Sequence, residues 1–323
     1  MRLLHKVLLG ISLLCSAFAP ALAADADYPN RPIRWVVGYP PGGTTDLLAR
    51  LMGQWLSQRL GQQVVIDNRP GAGNNIGTDF AVRSPPDGYT VFLVNPANAI
   101  NATLYRKLPF NFLEDMAPIA GIVRVPNVLT VRKNFPANTL AEFIDYAKKN
   151  PDKINMASSG SGTSVHLSGE LFKYMTGIQM KHIPYKGAGP ATTDLLAGQV
   201  DLIFDNMPSI ISHIRGGQLR ALGVTTAQRS PALPEVPAIA EVVPGYEASA
   251  WFGVAAPKGT PREAIDRLNR EINAALADPA MKAKLADLGG VPIPGTPEEF
   301  WALHRMETEK WAKIVQFSGA KAD

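Results

Sequence analysis

The sequence contains a single cysteine, and it lies where secretion would remove it. Cys15 sits inside the apolar stretch Val7 to Ala19, which follows Arg2 and Lys6 and precedes Ala21-Leu22-Ala23. A short positive region, an apolar stretch and a small-x-small tripeptide make a cleavable secretion signal, with cleavage expected after Ala23 and residues 1–23 lost. Leu14 stands where a lipoprotein signal has a small residue, so no lipid anchor is expected. A chain beginning at Ala24 then has no thiol. It forms no disulfide, offers no cysteine nucleophile and supplies no cysteine to a metal. An oxidising compartment permits disulfides without requiring them.

Other absences narrow the class further. Beyond the signal no run reaches the roughly 18 apolar residues of a membrane span. The five histidines show no HExxH or other metal spacing. The formal net charge is +4, and loss of Arg2 and Lys6 leaves 30 of the 32 basic residues against 28 acidic ones. No Lys/Arg cluster of nucleic-acid type is present, so no nucleic-acid partner is expected. Lys148-Lys149 ends a helical run, where cations complement the helix dipole. No repeat or low-complexity tract occurs. A chain with 46% hydrophobic and 19% charged residues folds, and 323 residues suffice for two lobes or one large α/β unit.

Two motifs come close to catalytic or cofactor signatures and miss. Gly71-Ala72-Gly73-Asn74-Asn75-Ile76-Gly77 has its third glycine one residue late for a dinucleotide fingerprint and reads as a close-packed turn. Around Ser161 a hydrolase nucleophile elbow would need glycine at position 159, which is serine. The sequence therefore points to no cofactor, no metal and no catalysis; a secreted serine hydrolase is the weakest of the alternatives.

What is present is alternation. Strand patterns fall at Ile33–Tyr39, Val64–Asp67, Thr90–Asn95, Val128–Arg132, Ile154–Ala157, Lys181–Pro184, Leu202–Phe204, Ala221–Thr225 and Ala250–Ala255. Helical patterns fall between them at Thr45–Leu60, Asn75–Arg83, Leu140–Lys149, Thr163–Thr176, Pro190–Ala197 and Pro208–Arg215, and after them at Pro261–Ala277, Met281–Leu288 and Pro297–Phe317. Thr45 and Thr260 read as helix caps, Gly61 as a left-handed stop and Asp278-Pro279 as a break. Such alternation predicts an α/β fold with mixed, mostly parallel sheets covered by helices. The strand-turn-helix pattern comes in two sets, with crossings around Ile119–Val128 and Pro244–Phe252. Two crossings make a hinge, with a cleft between the lobes. The last helices are expected to pack back on the first lobe.

Three glycine-rich turns carry the functional signal. They are Gly38 to Asp46, Ser158 to Thr163, and Tyr185 to Pro190, each after a strand pattern and before a helical one. A helix start exposes N–H groups that its own turns leave unpaired, and glycine lets another group approach them. Converging starts would cradle a small anion. Gly42, Gly43 and Thr44 offer amides and a hydroxyl, and Tyr39 offers a covering ring and a hydroxyl. Ser158, Ser159, Ser161 and Thr163, with Gly160, form a dense set of hydroxyls that both donate and accept. His166, one turn on, either lines the cleft or packs behind it. Tyr185 and Lys186 mark the third turn, where Lys186 gives charge complementarity or faces solvent. Asp205, at a strand end, pairs with a ligand ammonium or caps the helix near Pro208. Asn95 and Asn98 are candidates for the cleft rim.

The run Tyr39-Pro40-Pro41-Gly42-Gly43-Thr44-Thr45-Asp46-Leu47-Leu48-Ala49-Arg50 resembles the Bug family of extracytoplasmic solute-binding proteins, receptors of tripartite tricarboxylate transporters. Val65-Ile66-Asp67-Asn68-Arg69-Pro70-Gly71-Ala72-Gly73, Ser84-Pro85-Pro86-Asp87-Gly88-Tyr89-Thr90, Tyr185-Lys186-Gly187, Asp194 to Gly198 and Leu219 to Thr225 follow in the same order. The resemblance implies a two-lobed type II periplasmic-binding fold, with a small organic carboxylate or acidic amino acid held between lobes. It implies that Tyr39 and Pro41 to Thr44 supply much of the first lobe's contacts and Ser158 to Thr163 those of the second. It further implies a periplasmic location, integral membrane transporter subunits as partners and no catalysis. The expected organisation is lobe one from 24–123 plus 247–323, lobe two from 124–246, working as a monomer. A ligand-sensing partner of a signalling system is the alternative.

Overall fold

The computed structural model describes residues 28–322, so the signal sequence, Cys15 and the expected cleavage site lie outside the described residues. The chain begins with β1 (Ile33–Val37), α1 (Thr44–Leu60), β2 (Val64–Asn68), α2 (Asn75–Val82), β3 (Thr90–Val94), α3 (Pro96–Leu104) and the single turn α4 (Phe112–Asp115). A long strand, β4 (Met116–Arg132), carries the chain into α5 (Leu140–Lys149), β5 (Asn155–Ser158), α6 (Ser164–Thr176), β6 (Lys181–Pro184), α7 (Ala188–Leu196), β7 (Leu202–Asn206), α8 (Met207–Arg215) and β8 (Leu219–Val224). It returns through β9 (Ser249–Pro257) to α9 (Arg262–Ala277), α10 (Pro279–Asp287), β10 (Val291–Pro292) and α11 (Pro297–Ser318).

Among the described residues, parallel strand ladders are confined to two units, with one isolated parallel bridge between Val224 and Ala238. In one, β1 lies between β2 and β3; in the other, β5 lies between β6 and β7. Every antiparallel pair involves β4 or β9, the two strands that run between the sets. Helical crossovers keep strands parallel, and a chain that must leave and return adds antiparallel ones. β4 pairs with β9 as far as Pro126–Ser249 and with β7 from Asn127 onward. One strand therefore serves both sheets, and its partner changes at a single peptide. The sequence pattern starts this strand only at Val128, because Pro118, Gly121 and Pro126 look like punctuation. Register shifts after Pro118 and Gly121 absorb them as irregularities within the β4–β9 ladder.

Some expected caps move. α1 begins after Gly43 with no side-chain cap, so Thr45 is not its cap. α9 begins after Pro261, and the Thr260 hydroxyl donates instead to the Pro257 carbonyl. Gly61 does close α1 in the left-handed region, at φ 69°.

The C-terminal helices do more than cover the first set. Trp55 of α1 donates its indole N–H to the Glu271 carbonyl of α9. α11 packs on α3 and β4 and also on α6 of the second set. Its Trp301 and Trp311 share one buried cluster with Val36 and Phe92 of the first set's strands and with Phe143 of α5 and Phe172 of α6 in the second set.

Candidate functional site

The glycine turns converge, and they bring company. A cavity of about 30 Å³ is lined by Gly43 and Thr44 at the start of α1, Asn95 and Pro96 at the start of α3, and Thr163 and Ser164 at the start of α6. Ala188 opens α7 and Asn206 caps α8 on the same cavity, whose remaining walls include Tyr39, Pro40, Thr45, Ser159 and Phe252. Five helix N-termini thus face one small space. Each carries roughly half a positive charge, worth up to about 2 kcal/mol to a partly buried anion. No charged side chain lines this cavity. Backbone dipoles and hydroxyls would supply the attraction for an anion; no carboxylate lines the cavity, although Asp46 and Asp205 lie buried at the starts of α1 and α8.

The first turn is held open from behind. Asp46, 3% exposed, accepts from the Gly42 N–H at 3.1 Å, from Arg50 and from Asn68. Burial pushes its carboxyl up, but those hydrogen bonds outweigh burial and hold it below its usual range. The Thr44 hydroxyl, at the cavity, is buried without a protein partner among the described residues.

A second chamber of about 220 Å³ adjoins the first and shares Tyr39 and Ser159 with it. Its walls are Gly160, Ser161, Tyr185 and Lys186, together with the 71–74 turn and Tyr105. The predicted residues therefore sort into groups. Tyr39, Gly43, Thr44, Asn95, Ser159 and Thr163 line the inner cavity, and Gly160, Ser161, Tyr185 and Lys186 the outer one. Pro41 and Gly42 line neither; they are exposed, and Pro40 takes the expected place of Pro41.

Three further candidates act from behind the walls. Ser158 is fully buried, accepts from the Gly160 N–H and shares a 2.6 Å hydrogen bond with His182. His166, 2% exposed, accepts the Gly162 N–H at its Nδ1 and stacks on His182 with ring centroids 3.9 Å apart. The two imidazoles buttress the serine-glycine loop and do not line either chamber. Asp205, 1% exposed, accepts from the Asn206 N–H and from the Ser209 hydroxyl, so it fixes the start of α8, and it lines neither chamber. Ser158, the serine bonded to His182, is fully buried. No metal-binding group of His, Cys, Asp and Glu occurs among the described residues.

Asn206 and Ser164 escaped the sequence reading, Ala188 lies within the third turn without having been singled out, and the 71–74 turn, read only as close-packed, lines the outer chamber. The signal for Asn206 was there: it follows a strand and opens a helix, the same grammar that marked the other turns. Asn98 closes a capping box with Asn95 rather than forming a rim.

The two sets meet across the site through residues without side chains. A Cβ on Gly73 would lie 2.3 Å from the Ser161 carbonyl oxygen, and one on Gly187 2.6 Å from Pro40. Only glycine permits so close an approach at these two positions.

Buried titratable groups make an acid prediction. Burial and the neighbouring His182 hold His166 well below the ordinary histidine value. Burial lowers His304, enclosed by Trp251, Trp301 and Phe112, to about 3. Burial raises Asp205 to about 6. As pH falls below the unfolded histidine value, the unfolded chain takes protons the folded histidines refuse, and stability drops by about 1.4 kcal/mol per pH unit per group. Below pH 6 the folded Asp205 takes a proton the unfolded chain refuses, which offsets one histidine. Urea unfolding is therefore expected to show a net loss of about 1.4 kcal/mol between pH 6 and 5. An Asp205→Asn variant should roughly double that slope. A flat or rising profile would show that these histidines are not held neutral.

Comparison with known proteins gives the chain its relatives. Residues 48–319 match the model of the tripartite tricarboxylate transporter family receptor. Protein BugT of Bordetella pertussis is 40% identical over 316 residues, covering 97% of each chain. Among solved structures, R. palustris Rpa4515 with adipate is 40% identical with a TM-score of 0.90, covering 92% of this chain and 100% of that one. MatC (Rpa3494) from Rhodopseudomonas palustris with bound malate is 30% identical with a TM-score of 0.85, covering 89% and 100%. The fold is that of periplasmic binding proteins, two sets of strands and helices with the turns of both meeting at one cleft. The chain belongs to the Bug family of solute-binding proteins, the receptors of tripartite tricarboxylate transporters.

Proposed function

We propose that the protein captures a small organic carboxylate in the periplasm and delivers it to integral membrane transporter subunits. The observation that carries this reading is the set of five helix starts around a cavity with no charged lining. The adipate and malate in the two related structures support the ligand class. Cleavage after Ala23 would release the chain as a monomer. The lobes would be 24–123 with 247–323, and 124–246, hinged where β4 changes partner beside the start of β9. Ligand held by turns from both lobes favours the closed state over the open one, which is how capture becomes a signal for delivery.

Among carboxylates, acidic amino acids fit less well. An α-ammonium needs an anionic or acceptor-rich partner, no carboxylate lines either chamber, and Asp205 is committed to α8. A thermal-shift panel tests the reading. At a hundredfold excess over the dissociation constant a ligand stabilises by about 2.7 kcal/mol. Simple carboxylates such as adipate, malate or benzoate are expected to raise the melting temperature more than glutamate and aspartate. Shifts with neutral sugars alone would overturn the reading.

A further inference from the structure

We infer that His166 is a positioning residue that makes ligand affinity depend on protons. The serine-glycine loop holds a carboxylate only while His166 Nδ1 can accept a hydrogen bond, and a proton taken up there releases the ligand. The inference rests on the carboxylate reading above and adds a regulation to its site.

The loop from Ser159 to Thr163 supplies walls to both chambers. Two of its amides are tied, from behind, to imidazoles. The Gly162 N–H donates to His166 Nδ1 at 3.3 Å. The Gly160 N–H donates to the Ser158 hydroxyl, which meets His182 Nε2 at 2.6 Å. Gly160 and Gly162 have φ of 126° and 81°, in regions open chiefly to glycine, so this backbone has much freedom to regain once untied. Acceptance at Nδ1 places the ring proton of His166 on Nε2. A second proton at Nδ1 would set N–H against N–H and untie Gly162.

The surroundings oppose a charge on this ring. It is buried and lies flat against His182. Glu170 is 3.7 Å from Nε2, but both its carboxylate oxygens accept from Lys173, so that pair brings no net charge. Of the other elements packed on α6, β5 and α3 have no titratable side chain. Asp205 of β7 is turned to α8, and Arg124 and Arg132 of β4 are paired with Glu307 and Asp201. On α11, His304 is enclosed by aromatic rings and Lys310 is paired with Glu247. Burial, His182 and Lys173 accordingly hold His166 neutral here.

The loop's remaining support comes from the first set. A Cβ on Gly162 would lie 2.1 Å from the Asn101 Oδ1 of α3, and the Ser161 carbonyl meets Gly73 as closely. Withdrawal of the first lobe removes both contacts and leaves the loop alone over His166. In that released form the histidine regains its ordinary value of about 6.5. Below it the released form takes a proton that the bound form refuses, so affinity falls as pH falls.

Calorimetric titration of the mature chain with whichever of adipate, malate and benzoate most raises the melting temperature tests this. At pH 6.5 binding is expected to release about half a proton, read from the dependence of the heat on buffer ionisation enthalpy. The dissociation constant should rise about tenfold between pH 7.5 and 5.5. His166→Asn puts an amide oxygen near the position of Nδ1 and takes no proton, so its constant should rise less than about threefold over that range. The ligand's own titration is common to both proteins and cancels in the comparison. His166→Leu, which fills the space without an acceptor, should bind more weakly than His166→Asn at pH 7.5. A pH dependence that survives His166→Asn overturns the inference, as does a wild type that releases no proton, a result that needs no variant to fold. Either leaves the carboxylate reading standing. Failure of adipate, malate, benzoate and every other organic acid to bind at pH 7.5 overturns the reading itself.

Discussion

Replacing Gly73 by alanine is expected to remove most of the ligand affinity while leaving the protein folded. Gly73 sits in the left-handed region at φ 57°, where a non-glycine residue costs about 1–2 kcal/mol. That cost falls on any folded form. The added Cβ also meets the Ser161 carbonyl oxygen at 2.3 Å, a contact made across the cleft and only when the two turns are together. Backbone on both sides cannot yield as a side-chain tip would. The second cost therefore falls on the closed form alone, and apparent affinity drops with the fraction of molecules able to close. Titration calorimetry is expected to show a dissociation constant raised about 30- to 300-fold. Urea unfolding should show only the loss of about 1–2 kcal/mol from the backbone. Unchanged affinity at that reduced stability would mean that the bound state does not bring Gly73 and Ser161 together.

Thr44→Val should separate binding from stability in the opposite sense. The Thr44 hydroxyl is buried at the cavity without a protein partner, an arrangement that costs the ligand-free protein free energy. Valine keeps the shape and removes the unpaired oxygen, so the melting temperature is expected to stay level or rise. A hydrogen bond to a charged group is worth about 1.5–3 kcal/mol, so carboxylate affinity should fall about 10- to 150-fold. Loss of stability with full affinity would instead make this hydroxyl a structural group.

The sequence made the site's grammar legible and left its geometry hidden. A strand, a glycine turn and a helix start can be read locally, and the turns at Gly43, Ser159–Thr163 and Tyr185–Lys186 do line the chambers. Helix α3 was missed for a physical reason. Pro96 to Asn101 are all buried, so these positions lack the alternation of buried and exposed residues that marks a surface helix, and its buried asparagines read as turn residues. β4 was shortened because prolines that a bulged strand tolerates look like breaks. Side-chain direction was the harder problem. His166 and Asp205 sit beside the right turns, yet one stacks on His182 from another strand and the other turns back to Ser209. Sixteen residues of sequence separate the two histidines, and only the parallel pairing of β5 with β6 brings them together.

Glycine means something more specific here than freedom to bend. At the first turn Gly43 lines the cavity, while the Gly42 amide is taken by Asp46. At Gly73 and Gly187 glycine lets the two halves of the molecule touch. On the proposed reading, the same residue type shapes the carboxylate cavity and allows the site to shut over its ligand.

Small-angle X-ray scattering of the mature protein, without ligand and at saturation with the carboxylate that most raises the melting temperature, tests the account most directly. The account predicts a smaller radius of gyration at saturation, with the change following the binding isotherm and absent in Gly73→Ala. A saturated wild-type profile that superimposes on the ligand-free one would contradict capture by closure.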